Sequence, residues 1–135
     1  MPVVSCLAAT EDGSPLNINA DTAAEALASA LGAKKLIFLT DQRGVLRDLR
    51  DPSTLLPFAD QNDLTSLLES GAVAGGMRLK VEACLRAATN GVKRTHIIDG
   101  TVKDSLLTEV FTGEGCGTMI VGSREKQLYE ENELV

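Results

Sequence analysis

The stretch Asp21–Asp41, DTAAEALASALGAKKLIFLTD, decides the fold. Its first part sets Ala23, Leu27, Ala30 and Leu31 on one helical face, opens with an acidic turn and stops at Gly32. Its second part, KKLIFLTD, stays apolar without alternation until Thr40–Asp41. An unbroken apolar run of that length is a strand covered on both faces, as in a parallel sheet. A helix leading straight into a buried strand is half of an α/β unit.

Working outward, the same alternation returns. ADQNDLTSLLESG reads as a helix ending at Gly71, AVAGGMRL as a glycine-marked loop, and KVEACLRAATNG as a further helix. KRTHIIDG is a strand, TVKDSLLTEVF a helix and GTMIVG a last strand. Upstream, PVVSCLAA is a strand ended by the turn residues EDGSP, while QRGVLRDLRDPSTLL is loop, punctuated by Gly44 and Pro52. The pattern predicts a three-layer α/β/α sandwich with a mainly parallel central sheet. Residues 1–122 form the lobe, and SREKQLYEENELV, residues 123–135, a charged tail that is an exposed helix or a frayed end.

Composition narrows the function. Of 135 residues 44% are hydrophobic but only 3% aromatic, so the core is built from Leu, Val, Ile and Ala. A net charge of −6 argues against nucleic acid or an anionic membrane as partner, since both favour basic surfaces. No apolar run reaches bilayer-spanning length, and MPVVSCLAATEDG lacks the charged start and long apolar core of a signal peptide. Cys6, Cys84 and Cys116 share no metal-like or redox spacing and read as small buried thiols of a reducing cytoplasm. A cytoplasmic protein is the expectation.

Chemistry in an open α/β sheet collects where strands end and helices begin. Lys80 follows Gly75–Gly76 near a predicted helix start. Glycines let backbone N–H groups approach an anion, and an ammonium group can follow a phosphoryl group in transfer. A solvated surface lysine after an ordinary turn fits the same residues. Neither of the two standard nucleotide fingerprints, the Walker-type loop or GxGxxG, is present. In NINAD, extended alternation turns Asn17, Asn19 and Asp21 to one side, where amides suit a carboxylate and the acid suits a cation. The competing reading is a helix cap at Asn19 or Asp21.

Taken together, NINADTAAEALASALGA, LTDQRGVLRD, ESGAVAGGMRLKVEACLRAATNGV, THIIDG and LLTEVFTGEGCGTMI resemble the acetylglutamate kinases of the amino acid kinase family, over their C-terminal half. The resemblance implies a lobe that binds ATP with Mg²⁺ as substrate, in an enzyme of arginine biosynthesis that phosphorylates the side-chain carboxylate of N-acetyl-L-glutamate. Asn17 and Asn19 would hold the α-carboxylate end of that acceptor. Asp21 would orient two lysines, Lys80 among them, and Lys80 would stabilise the transferring phosphoryl group. Asp41, Gln42, Arg43, Gly44, Val45 and Leu46, with Ala72, Val73, Ala74, Gly75 and Gly76, fall where the family holds the nucleotide. Arginine-inhibited members imply an effector site at His96 and Glu109, beside the GEGCGTM loop. No metal ligands are expected of this chain, and a homo-oligomer is expected of the full-length enzyme. The family's N-terminal half supplies a second lysine, glycine-rich loops and a substrate arginine with no counterpart in these residues, so the lobe alone is expected to be inactive. Arg78 replaces the family's usual apolar residue and is expected to face solvent. A non-catalytic nucleotide- or amino-acid-binding module is the alternative.

Overall fold

The structure, a computed structural model, describes residues 1–112 and 115–133. The chain opens with β1 (Leu7–Ala9) and β2 (Pro15–Asn17), an antiparallel hairpin set apart from the main sheet. Then come α1 (Ala20–Ala30), β3 (Lys35–Thr40), β4 (Phe58–Ala59), α2 (Gln61–Ser70) and α3 (Gly75–Thr89). They are followed by β5 (Arg94–Asp99), α4 (Ser105–Phe111), β6 (Thr118–Ile120) and α5 (Ser123–Glu133). The expected fold class holds. The main sheet has the order β3-β5-β6-β4, and two of its three pairings are parallel, with the central β5–β6 pair antiparallel.

The β3–β5 pairing carries most of the order. Six residues of β3 face six of β5, from Lys35 opposite Arg94 to Thr40 opposite Asp99. Side chains alternate across a sheet, so Phe38, Ile97, Thr118 and Ile120 share one face. There Phe38, Ile97 and Ile120 form a single core with Leu64 and Leu67 of α2 and with Val81, Ala83 and Cys84 of α3. His96 lies on the opposite face, which meets α4 through Glu109. Cys84 is buried, whereas Cys6 and Cys116 are only half-buried, and all three are free thiols.

Several local expectations change. The first strand is Leu7–Ala9 alone, and it pairs in the hairpin instead of entering the main sheet. β4 falls between the stretch read as loop and the predicted helix, whose first residue, Ala59, is instead in the strand; two residues after Pro57 carry no periodicity, and their extension comes from pairing with β6. GGMRL is helical, because α3 starts at Gly75. The apolar stripe expected on α1 is not its buried face: Leu27 is 44% and Leu31 72% exposed, while Ala28 and Glu25 are buried. The tail is tied down, since Glu125 of α5 pairs with Arg94 and Lys126 with Asp63 at 2.6 Å. Among the described residues no helix is long and apolar enough to cross a membrane.

Two glycines lock the sheet to its loops. A Cβ on Gly117 would lie 2.2 Å from the carbonyl oxygen of Ile97, inside the β5–β6 pairing. Gly44, at φ +152°, would put one 2.6 Å from Thr118 Oγ1, the atom that accepts a 2.8 Å hydrogen bond from the Val45 N–H. Because the Gly117 obstacle is backbone, it cannot rotate away. Gly117→Ala is expected to lower unfolding stability by about 2 kcal/mol or more, the overpacking range for a rigid interior. A urea melt within about 0.5 kcal/mol of the parent, the spread of neutral surface changes, would contradict that packing.

Candidate functional site

β3, α1 and α3 bring their site-facing ends together. Helix α1 precedes β3 and α3 precedes β5, and the two strands are parallel, so both helices run the same way and both N-termini emerge where β3 ends. A cavity of about 330 Å³ opens there, lined by Thr40, Asp41, Gln42, Gly44, Leu46, Leu49, Val73, Ala74, Gly76, Met77 and Lys80. Leu46, Leu49, Val73 and Met77 give the lining its large apolar side chains, and Thr40, Asp41, Gln42 and Lys80 its polar ones.

The three helix starts differ in a way that matters. Asn19 caps α1, its Oδ1 accepting from the Thr22 N–H at 3.0 Å. Asp60 and Asp63 close a reciprocal capping box on α2. α3 begins after Ala74 with no side-chain cap and no acid in its first turn. Its first N–H groups therefore keep their positive end unanswered by a side chain. Gly75 takes φ +54°, and the space before Gly76 is open to 4 Å. Lys80 extends this electropositive end, and its Nζ donates to Asp21 Oδ2 at 3.0 Å with both side chains 18% exposed. One turn further along α3, burial pushes the Cys84 thiol up to about 12, so it stays protonated.

The structure sorts the sequence-derived residues. Asp21, Lys80, Asp41, Gln42, Gly44, Leu46, Val73, Ala74 and Gly76 gather at the cavity or on the ion pair beside it. Val45 does not, because its side chain is fully buried in the core. Ala72 lines neighbouring clefts instead, and Arg43 is exposed, its charge bearing on Asp99 at the end of β5. Gly75 sits at the mouth without lining it. Thr40, Leu49 and Met77 also line the cavity and were not among the expected site residues, although Thr40 and Met77 lie within the stretches that carry the resemblance. The extended alternation read through NINAD stops early: Asp21 lies inside α1, so Asn17, Asn19 and Asp21 do not form one pleated face. Asn19 Oδ1 is engaged by the cap, leaving its amide N–H groups. Arg78 pairs with Glu82 at 2.9 Å on the solvent side of α3.

His96 and Glu109 meet on the other face of the sheet, 2.6 Å apart and almost fully buried. The second carboxylate oxygen accepts from the Cys116 N–H at 2.8 Å. Both oxygens are therefore engaged within the chain. The Gly113–Glu114 part of the neighbouring loop lies outside the described residues.

The sequence profile of the Amino acid kinase family matches residues 1–99, and the chain belongs to that family. Within it, the similarity is to acetylglutamate kinases. The chain is 52% identical over 124 residues to the one from Nostoc sp., a match covering 92% of this chain and 42% of that protein. It is 54% identical over 123 residues to the one from Synechocystis sp., covering 91% and 41%. The acetylglutamate kinase of Methanobrevibacter smithii is 51% identical over 120 residues, covering 89% and 41%. The chain thus spans about two fifths of the length of these relatives. Among solved structures, N-acetylglutamate synthase from Neisseria gonorrhoeae complexed with coenzyme A and N-acetyl-glutamate superposes with TM-score 0.79 at 32% identity, over 87% of this chain and 27% of that one. Carbamate kinase from Giardia lamblia bound to AMP-PNP gives 0.65 at 25% identity, over 84% and 36%.

The buried couple gives a pH test. The His96 hydrogen bond, helped by the Cys116 N–H, holds the Glu109 carboxyl at about 2, below its ordinary 4.5. A depressed carboxyl stabilises the fold above the unfolded value and loses that contribution as pH falls from 4.5 to about 2. Glu109→Gln is therefore expected to be less stable near pH 7 and to lose less stability across that acid window. Parallel melts with an identical acid slope would show that Glu109 titrates normally.

Proposed function

We propose that this chain is the nucleotide-binding lobe of an acetylglutamate kinase-like phosphotransferase. One observation carries the reading: an uncapped helix start, Lys80 and the Asp41–Leu46 loop converge on a single cavity, and Lys80 is held there by Asp21. MgATP is the phosphoryl donor, with its phosphates toward the start of α3 and Lys80. The acceptor is the side-chain carboxylate of N-acetyl-L-glutamate, its α-carboxylate end at Asn17 and Asn19. One carboxylate oxygen bonds to the γ-phosphorus as the bond to ADP breaks, and no proton has to move. Two anions must be brought together, so the work is positioning and charge balance. Lys80 balances charge on the phosphoryl oxygens, and Asp21 keeps its ammonium group from straying.

In the same reading the acyl-glutamate pocket and a second lysine come from an N-terminal half, the lobe alone is inactive, and the assembled enzyme is a cytoplasmic homo-oligomer. Arginine would act at His96 and Glu109, where its guanidinium competes with His96 and with the Cys116 N–H and thiol for the Glu109 carboxylate.

Calorimetric titration of the folded chain with ADP and Mg²⁺ is the first test. Binding with a Kd near 1 mM, about −4 kcal/mol, is expected for a half-built phosphate site. Gly76→Asp is the informative variant. Open space before Gly76 admits the side chain, and an acid in an uncapped first turn favours the helix while repelling phosphate. Its melting temperature should hold or rise while the heat of nucleotide binding disappears. Absence of heat from the unmodified folded chain at millimolar nucleotide would end the nucleotide reading.

Phosphoryl transfer is the second test, run after adding the remaining part of a relative such as the Nostoc enzyme. Lys80→Ala should then lower kcat by far more than it raises either KM, since charge builds on the phosphoryl oxygens mainly in the transition state. A Lys80→Ala protein with normal kcat would move the site elsewhere. If nucleotide binds and no acetylglutamate is phosphorylated in that mixture, the chain is a non-catalytic binding module.

A further inference from the structure

Glu25 is an acid on the buried face of α1, a face that the apolar periodicity of the sequence does not mark. It sits on the face of α1 turned toward α3, flanked by Ala24 and Ala28, and is 6% exposed. An ionised carboxylate at that depth is costly unless donors surround it. Three do. Oε1 accepts from Ser29 Oγ at 3.0 Å and from Asn90 Nδ2 at 3.2 Å, and Oε2 accepts from Arg86 Nε at 3.3 Å.

The rest of the α1–α3 contact offers little else that sets a register. The α1 side chains buried toward the core here are small, Ala24 and Ala28; Ala24 packs on the cluster that holds Ala83 and Cys84, and Ala28 clusters with Ala87. Such a smooth seam lets two helices approach closely without a knob to stop one sliding along the other. Leu27 of α1 and Leu31 at its C-terminal cap, the larger apolar side chains here, are exposed. Directional contacts must set the register, and there are two. Asp21 and Glu25 stand one turn apart on α1, and they reach Lys80 and the Arg86–Asn90 pair on α3. A one-residue slip or a partial rotation of α1 breaks both together.

We propose that Glu25, Arg86 and Asn90 form a positioning clamp that fixes the register of α1 on α3 and thereby holds Asp21 against Lys80. The importance of that alignment rests on the reading of Lys80 as the phosphoryl-facing cation, but the clamp itself can be tested without nucleotide. Arg86 is 46% exposed and touches the site only through Glu25 and the helix, so the clamp positions and does not react.

The test is the rate at which Lys80 is acylated by acetic anhydride in the whole chain at fixed pH. Peptide mass spectrometry follows it, with exposed Lys93 and Lys103 as internal references. Asp21→Asn should raise the relative rate at Lys80 directly. Glu25→Gln, which keeps shape and removes charge, should raise it by about threefold or more, a modest coupling for groups acting through one contact. The double variant should react no faster than Asp21→Asn alone, because both act through the same ion pair. Arg86→Met, at a half-exposed position, should repeat the effect if Glu25→Gln does not fold, and Arg86→Lys should return most of the protection. The proposal is overturned if folded Glu25→Gln or Arg86→Met melts at a lower temperature while Lys80 reacts at the parental rate. That result would make the cluster a stabilising contact only. Failure of the nucleotide titration would leave this readout unaffected, so the two ideas fail separately.

Discussion

Parallel strands cannot be joined by a tight turn, so the six-residue pairing of β3 with β5 forces the chain to travel far between them. That constraint organises the molecule. Each strand enters from a helix packed on the same face, so α1 and α3 are made parallel by the strands they feed. Their N-termini then have to emerge at the end where β3 stops. The cavity follows from this geometry: its floor is the end of a strand, its rim a loop, and its charged side the start of a helix. The antiparallel β5–β6 pair at the centre reverses the strand direction, and β4 completes the sheet by pairing parallel to β6.

Because successive side chains of β5 point to opposite faces, one strand separates two unlike polar environments. On one face, Thr95 and Ile97 lie beneath α3, above which Lys80 and Asp21 meet at the margin of the core. On the other, His96 and Glu109 are buried together, with the Cys116 N–H and thiol also on the Glu109 carboxylate, while His96 Nε2 has no hydrogen-bond partner among the described residues. The first pair keeps access to water and to a cavity. The second is shut off from water. Chemistry is therefore available on one face, and pH-dependent stability is concentrated on the other.

How far this could be read beforehand depended on whether a residue's setting is local. KKLIFLTD declared a buried strand because every position is apolar, and β3 is that strand. Lys80 stood out by its place after Gly75–Gly76, and Asp41, Gly44, Val73 and Gly76 came from the family resemblance; the structure brings all five to one cavity. Val45 and Arg43 flank cavity residues and still point elsewhere, since one step along a chain turns the side chain around. Asn19 was read as part of a polar face, but its acceptor serves the helix, a demand that arises once Ala20 begins to coil. Leu27 and Leu31 misled because hydrophobicity was taken as burial, while the buried face of α1 is chosen by the fit of alanines to α3. Glu25 was missed for the complementary reason. Its partners Arg86 and Asn90 are far away in sequence, and only tertiary packing shows that an acid there is satisfied.

β3 is the outermost strand of the main sheet, and no strand among the described residues pairs with its free side. Leu39 on that strand and Leu16, Leu27 and Leu31 elsewhere on the chain are exposed. An open edge with apolar surface is the arrangement that lets one sheet template growth on another. Lys34 and Lys35 stand at the entrance to the strand and act as gatekeepers, since joining two such edges would crowd like charges. The overall charge of −6 adds long-range repulsion between molecules. Both defences are electrostatic and weaken as salt rises. The colloidal behaviour of the chain is thus governed by the ionic strength around a single strand, a property set by the same pairing that builds the cavity.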